Sequence, residues 1–473
     1  MMFKLEKITK RDENFAEWYT SVIQNAQLCV YGPIKGTIIY QPNVWSIWES
    51  IRTYLDHEFK KNGVQNLAMP ILIPKSEFAK EKEHLKGFAP ECFMVNQIGN
   101  KKLDDPYIIR PTSEILFCNY FAYVTSSYKN LPIKVNQWCS VMRAEKTTKP
   151  FLRNSEFHWQ ELHAIFADVK SGLTFTKKII DIYEKMLNDF LCIPVIKGEK
   201  TIGERFAGAE TTYTIEALMQ DGQMLQCGTS HYLGQNFSKI YDIKFQNKNN
   251  TFDYAYQMSA GVSTRLLGAI IMVHGDDNGL VLPPALAPIQ IKINVLGLEK
   301  EPQIKEYLES ITTKLKKYRL KVDDTEHGLG YKLSEGEVQG IPIQIILGKE
   351  TITDNQVTYI RRDNLQKLKC PLVNINQIIE KELEEYKKSI YQRAINQLQD
   401  SITWVNSVTE LQQAVANKKI AKAYWAGTID DEKKIKELTG ASARCIIDTN
   451  AKESKCFLTK KKTTSVVIFG RAY

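Results

Sequence analysis

Between Lys134 and Phe166, aromatic and charged side chains crowd two strand-like runs that flank a polar, proline-containing loop. This pattern predicts an antiparallel hairpin, and its ends carry the chemistry that most restricts the fold. Arg143-Ala144-Glu145 is followed by a loop of seven residues and then by Arg153-Asn154-Ser155-Glu156-Phe157. Such a hairpin can form a nucleotide site without a phosphate-binding glycine loop. One Arg would reach the α-phosphate, where charge develops during attack. Glu145 would accept a hydrogen bond from the purine, Arg153 would meet the terminal phosphates, and Phe157 would stack on the base. Arginine suits the task because its planar fork binds phosphate oxygens in pairs and keeps its charge. Taken alone, the same residues equally suit a salt-bridged surface hairpin.

The rest of the chain supplies a frame. Trp45, Trp48, Ile51, Leu55 and Phe59 recur at helical spacing up to Gly63, and the strand-like run NLAMPILIP follows, ending at Pro74. QMLQCGTSHYLG has the small and polar residues of a strand that lines a pocket. Gly261 to Val273 reads as a glycine-bounded helix. Pro283, Pro284 and Pro288 then mark a boundary, because proline is excluded from element interiors. Beyond it come an alternating strand (IQIKINVLG), an amphipathic helix and a buried strand (IPIQIILG), the rhythm of a small α/β domain. The charged helix IIEKELEEYKKSIYQRAINQLQD opens a third region. The expected division is 1–284, 285–380 and 381–473 in an α+β fold.

Composition adds limits. The net charge of +9, from 63 basic against 54 acidic residues, suits a polyanionic partner without demanding one. Nine scattered cysteines with no C-x-x-C pair predict reduced thiols in a cytoplasmic protein. The start Met1-Met2-Phe3-Lys4 shows no apolar core of signal-peptide length, and no apolar stretch is long enough for a bilayer, so no membrane is expected.

Three stretches, in order, resemble the motifs of class II aminoacyl-tRNA synthetases. Trp45 to Pro70 resembles motif 1, the hairpin motif 2, and Gly261-Val262-Ser263-Thr264-Arg265-Leu266-Leu267-Gly268 motif 3. Arg110-Pro111-Thr112-Ser113-Glu114, Lys149-Pro150-Phe151-Leu152-Arg153 and Glu156-Phe157-His158-Trp159-Gln160-Glu161-Leu162-His163 resemble the RPTSE, RPFLR and EFxWQExH strings of prolyl-tRNA synthetases of the archaeal and eukaryotic-like type. Two departures stand out: Lys149 replaces an Arg and keeps its charge, and Leu162 replaces a Gly with a bulkier residue beside the pocket. A threonyl or seryl enzyme is the nearest rival. A catalytically dead relative would predict damaged arginines, yet Arg143, Arg153 and Arg265 are present.

The resemblance implies an antiparallel-sheet catalytic domain followed by an α/β anticodon-binding domain and a small C-terminal domain. It also implies a homodimer with L-proline, ATP, Mg2+ and tRNA(Pro) as ligands. Thr112, Glu114, Arg143, Trp159, Glu161, His163 and His231 would hold proline, with Glu114 facing its ammonium. Glu114 could instead act as a helix-cap acid, and His163 as a core histidine. Arg143, Glu145, Arg153, Asn154, Phe157, Gln226, Thr229, Ser263 and Arg265 would hold ATP, with Gln226 near the magnesium. Arg143 and Arg265 would be the catalytic pair. Cys227 is read as structural. Lys332, Arg361 and Arg362 would meet the anticodon. The zinc held by four cysteines in many relatives is not expected, because Ala426 and Asp431 stand at two of those positions and Cys456 stands alone, with Thr459 at the paired position. Only 119 residues (146 to 264) separate Glu145 from Arg265, too few for an inserted editing domain. An apolar pocket separates similar small ligands poorly. Cysteine or alanine is therefore expected to support ATP–pyrophosphate exchange, and no exchange with either would contradict this.

Overall fold

The computed structural model describes residues 7–78, 92–299 and 301–473; the signal-peptide reading of Met1 to Lys4 lies outside them. The first helix, Phe15–Asn25, is capped by Asn14, whose side chain accepts from the Glu17 amide at 3.1 Å. Helix Pro42–Lys61 starts before the expected Trp45 because Pro42 presets the first-turn φ. Its Val44, Ile47, Trp48, Ile51, Leu55 and Phe59 form one buried stripe. The strand expected through Met69-Pro70 is two strands. Gln65–Asn66 pairs with Val135 and Asn136, whereas Leu72–Pro74 joins a separate three-stranded sheet beside Lys101–Ile109.

The central sheet carries the site. From one edge its strands run Gln65–Asn66, Ile133–Met142, Glu156–Phe166, Tyr256–Ser263, Met224–Gly234, Thr211–Leu218 and Val195–Glu199, all antiparallel after the first pair. Helices Val169–Lys185 and Arg265–His274 pack on it, and Ile179, Ile180, Leu266 and Ile270 share one apolar core with the first two helices. The hairpin loop is less polar in its contacts than its sequence suggests. Phe151 and Leu152 are buried in that core, and Tyr19 donates to the Pro150 carbonyl at 2.7 Å. The expected helix start at Gly261 is corrected. Gly261 is a strand residue paired between Glu161 and Thr229, and the helix begins only at Arg265.

The α/β unit has strands Leu320–Asp323, Ile291–Val295 and Ile343–Leu347 in parallel, then Gln356–Arg361 and Lys367–Pro371 antiparallel. The alternation read in Ile291–Val295 is real, but every position is buried. Lys292 is satisfied inside: its Nζ donates to the Lys332 carbonyl (2.8 Å) and Glu335 (2.6 Å), and pairs with Asp323 at 2.9 Å. A single helix, Ile375–Ser401, carries the chain across the expected boundary at 380. The last strands (402–404, 420–424, 442–448 and 466–470) extend the central sheet through Ile446 opposite Glu199. Among them Cys456 is fully buried beside Trp425 and Phe457, and Asp431 forms a capping box with Thr428. No helix among the described residues is long and apolar enough to cross a membrane.

The expected anticodon contacts need correction. Lys332 is fully buried and donates to the carbonyls of Val295 (2.8 Å) and Asp323 (3.0 Å). Arg361 is paired with Asp363 and Glu382. Arg362 grips Asp276, just past the Arg265–His274 helix, with Nη1 at 2.7 Å and Nη2 at 2.5 Å, and donates from Nε to the Glu337 carbonyl. These charges tie the α/β unit together and to the catalytic unit; Lys332 and Arg362 are committed to buried partners, whereas Arg361 also borders an open surface with Lys381 and Lys388. Removing one partner of such a pair strands the other. Arg362→Met should therefore destabilise by about 3 kcal/mol, read as a lower urea midpoint.

Candidate active site

Sheet register assembles the site, because residues two apart on a strand share a face. His163, Ser259, His231 and Thr212 lie side by side across four strands, and Glu161, Gly261, Thr229 and Thr214 form the next row. Trp159 and Ser263 open a third. Gly261 has no side chain to fill the space between Glu161 and Thr229, and a Cβ there would meet the Gln160 carbonyl at 3.0 Å. Gln226 and Thr229 are three apart and should face opposite ways. The register slips by one between Gly228 and Gln226, leaving Cys227 as the extra residue, and this bulge returns Gln226 to the cavity wall. The rows floor a cavity of about 270 Å³.

One end of the cavity is built around carboxylates. Glu114, at the start of helix Glu114–Val124, is buried and accepts from the Thr112 hydroxyl and from its own first-turn amide, with its side chain lining the cavity. Glu161 accepts from the Ser113 amide (3.2 Å), the Ser113 hydroxyl (2.6 Å) and Gln137 Nε2 (2.7 Å). Burial, with Glu114 nearby, pushes Glu161 up to about 7; burial also raises Glu114. Arg143 lies close to both carboxylates, donates from Nε to the Pro111 carbonyl at 2.9 Å and sits over the Phe157 and Trp159 rings at 5.3 and 5.2 Å. Arg143 is the guanidinium that lines this end beside the two carboxylates, and the buried Arg110 acts on Glu161 from behind the wall. His163 stacks on Phe117 at 3.8 Å, and His231 meets Thr212 at 3.0 Å; burial drives both down to about 3, so both are neutral walls.

The other end is cationic. Arg265 opens its helix, so its guanidinium and the helix N-terminus both favour an anion there. Its Nε donates to the Leu152 carbonyl at 3.3 Å, which ties it to the hairpin loop. Burial raises the Cys227 thiol to about 12, consistent with a structural role.

Most of the expected residues converge on this cavity: Thr112, Glu114, Arg143, Phe157, Trp159, Glu161, His163, Gln226, Thr229, His231, Ser263 and Arg265. Three do not line it. Glu145 and Arg153 face each other at 3.9 Å, and Asn154 reaches the Gly36 carbonyl at 3.5 Å. Leu162 is also corrected: it points to the opposite face and is buried in the core, not beside the pocket. Ser259 and Phe206 were missed. Ser259 lies in a row with both histidines, and its buried hydroxyl has no hydrogen-bond partner among the described residues. The period-two pattern of its strand could have exposed it, whereas Phe206 sits in a loop with no such signal.

An antiparallel sheet with this hairpin, a carboxylate end and an arginine-led helix defines a class II aminoacyl-tRNA synthetase core. Family models agree: residues 93–274 match the tRNA synthetase class II core domain (G, H, P, S and T), 285–385 the anticodon binding domain, and 408–473 the prolyl-tRNA synthetase C-terminal domain. The proline--tRNA ligase of Ureaplasma parvum is 56% identical over 473 residues, covering 100% of both chains. That of Malacoplasma penetrans is 49% identical over 99% of this chain and 100% of its own. A crystal structure of prolyl-tRNA synthetase from Cryptosporidium parvum, complexed with halofuginone and AMPPNP, superposes with a TM-score of 0.95 at 34% identity, covering 99% of this chain and 97% of that one. The chain belongs to the prolyl-tRNA synthetase family, ligases that activate proline and transfer it to tRNA.

The carboxylate pair sets a pH dependence. Below about 7 the pair retains a proton; above it both carboxylates are charged and this end of the cavity is more negative. The KM for proline, whose nitrogen is cationic, should therefore fall as pH rises through about 7. Glu161→Gln should flatten this profile.

Proposed function

We propose that the cavity holds proline at its carboxylate end and ATP at its arginine end. The reading rests on one observation: a buried carboxylate pair, Glu114 and Glu161, lines one end of the cavity and the buried Arg265 guanidinium the other, with Arg143 between them. The proline ammonium completes the charge around Glu114 and Glu161, with Thr112, Trp159, His163 and His231 forming its walls. A buried ammonium is costly unless paired, and a carboxylate pairs it. ATP lies across Phe157, Gln226, Thr229 and Ser263.

An oxygen of the proline carboxylate attacks the α-phosphorus, and the bond to the bridging oxygen breaks, releasing pyrophosphate. Arg143, near both ends, stabilises charge developing on the α-phosphate, and Arg265 draws on the departing phosphates. The terminal ribose hydroxyl of tRNA(Pro) then attacks the activated carbonyl and AMP leaves. Mg2+ would neutralise phosphate charge. The amide oxygen of Gln226 fits an ion held mainly by phosphates and water, since magnesium takes few protein ligands in such sites. AMPPNP in the Cryptosporidium parvum enzyme supports the use of ATP. Glu145, Arg153 and Asn154 join the nucleotide only if the hairpin ends close over it.

The likeness to a protozoan enzyme supports an archaeal and eukaryotic-like subtype. The motif 1 helix supports a homodimer. A cytoplasmic location accords with nine free cysteines. The division at 284 and 380 is retained for the polypeptide, with the Ile375–Ser401 helix as a shared strut.

Charging of tRNA(Pro) with proline by the purified chain tests the whole reading. Arg143→Ala should lower proline-dependent ATP–pyrophosphate exchange by about 100-fold or more while ATP and proline still bind. Full exchange in that variant would contradict the assignment.

A further inference from the structure

The amino-acid end of the cavity leans on side chains that arrive from the far end of the polypeptide. Thr212, Thr214 and Glu216 share one face of their strand, so Glu216 continues the row of residues that reaches the site. Glu216 is fully buried. Lys200 Nζ donates to its Oε1 at 2.8 Å and Thr214 to the same oxygen at 2.9 Å. Arg444, on the C-terminal strand Ser442–Asp448, donates to Oε2 from Nε at 3.1 Å and from Nη2 at 2.7 Å. A second contact lies beside the first, where Thr201 donates to Glu432 Oε2 at 3.0 Å. The segment held by these two contacts leads directly to the cavity wall. The Lys200 amide donates to the Thr212 carbonyl at 2.8 Å, and the Phe206 amide donates to the Thr212 hydroxyl at 3.3 Å. That hydroxyl meets His231 Nδ1, and the Phe206 ring lies 4.6 Å from the histidine ring.

A buried cluster of two cations and one anion is a poor way to add stability, because desolvation cancels much of the attraction and apolar replacements often do as well. What such a cluster does well is fix geometry, since the Arg fork accepts only a narrow range of carboxylate positions. We propose that Arg444 is a positioning residue for amino-acid activation. Through Glu216 and Lys200 it sets the segment Lys200–Phe206 and the strand Thr211–Leu218, and thereby holds Phe206, Thr212 and His231 against the amino acid. This rests on the proline end of the cavity being where the preceding section puts it. The C-terminal unit is then part of the active-site scaffold and not only an appendage to it.

The experiment is proline-dependent ATP–pyrophosphate exchange by the full chain, with proline and ATP varied separately. Failure of the unaltered chain to exchange would refute the proposed function and leave the role of Arg444 to be read by proline binding alone, in calorimetry of the same variants. With exchange present, Arg444→Met should raise the KM for proline by roughly 10- to 100-fold and move that for ATP by no more than about twofold. Arg444→Lys, which keeps the charge but loses the fork, should recover part of the loss. Glu432→Ala removes the second contact from a half-buried position and should raise the KM for proline by a smaller factor with an unchanged melting temperature. An unaltered KM for proline in Arg444→Met overturns the proposal. So does an equal loss for both substrates that tracks a fall in melting temperature, which would mark a purely structural role. If Arg444→Met does not fold, an unaltered KM for proline in Glu432→Ala overturns it.

Discussion

The site depends on strand register. A slip of one residue between Glu156–Phe166 and Tyr256–Ser263 would turn Trp159, Glu161 and His163 into the core and bring Gln160 and Leu162 out. The register is held from both sides. Leu162 and Ala164 on the inner face are packed in the largest apolar cluster, while Gln160 is hydrogen-bonded by Tyr183 and reaches Asn136. The catalytic face can therefore carry two buried carboxylates and an arginine at a cost that the apolar face offsets.

Geometry also explains why no side-chain nucleophile is needed. Cys227 is displaced into a bulge with its thiol held protonated, and both cavity histidines are neutral and far from titrating near pH 7. What remains ionised is a set of fixed charges at opposite ends of one cavity. That arrangement aligns two reactants and stabilises charge as it develops, which suits a reaction in which the substrate carboxylate is itself the attacking group.

Much of the fold could be read from the sequence because its signals are local. The hairpin and the buried stripe of Pro42–Lys61 each follow from spacing within a local segment. The errors share a different origin. Gly261 looked like the start of a helix, but pairing with strands distant in sequence extends the sheet through Ser263. Lys332 and Arg362 read as anticodon contacts, but their partners, Asp323 and Asp276, come from other elements. The alternation of its strand puts Ser259 on the cavity face, but a serine there acquires meaning only from the histidines on either side. The side chains that converge on the cavity were nameable from motifs. Their rows, and the bulge that turns Gln226 inward, were not, because register is a property of pairs of strands.

The junction at Ile446 and Glu199 has a further consequence. The strand Val195–Glu199 would otherwise be the free edge of the catalytic sheet, with unpaired amides and carbonyls open to any extended peptide. The C-terminal strands cover that edge only in part, through one paired position. During synthesis, the catalytic sheet emerges long before its cover. The nascent chain thus passes through a stage in which this edge is bare and open to pairing with a neighbouring chain, and the charged residues Lys197 and Glu199 along it are placed to discourage such pairing.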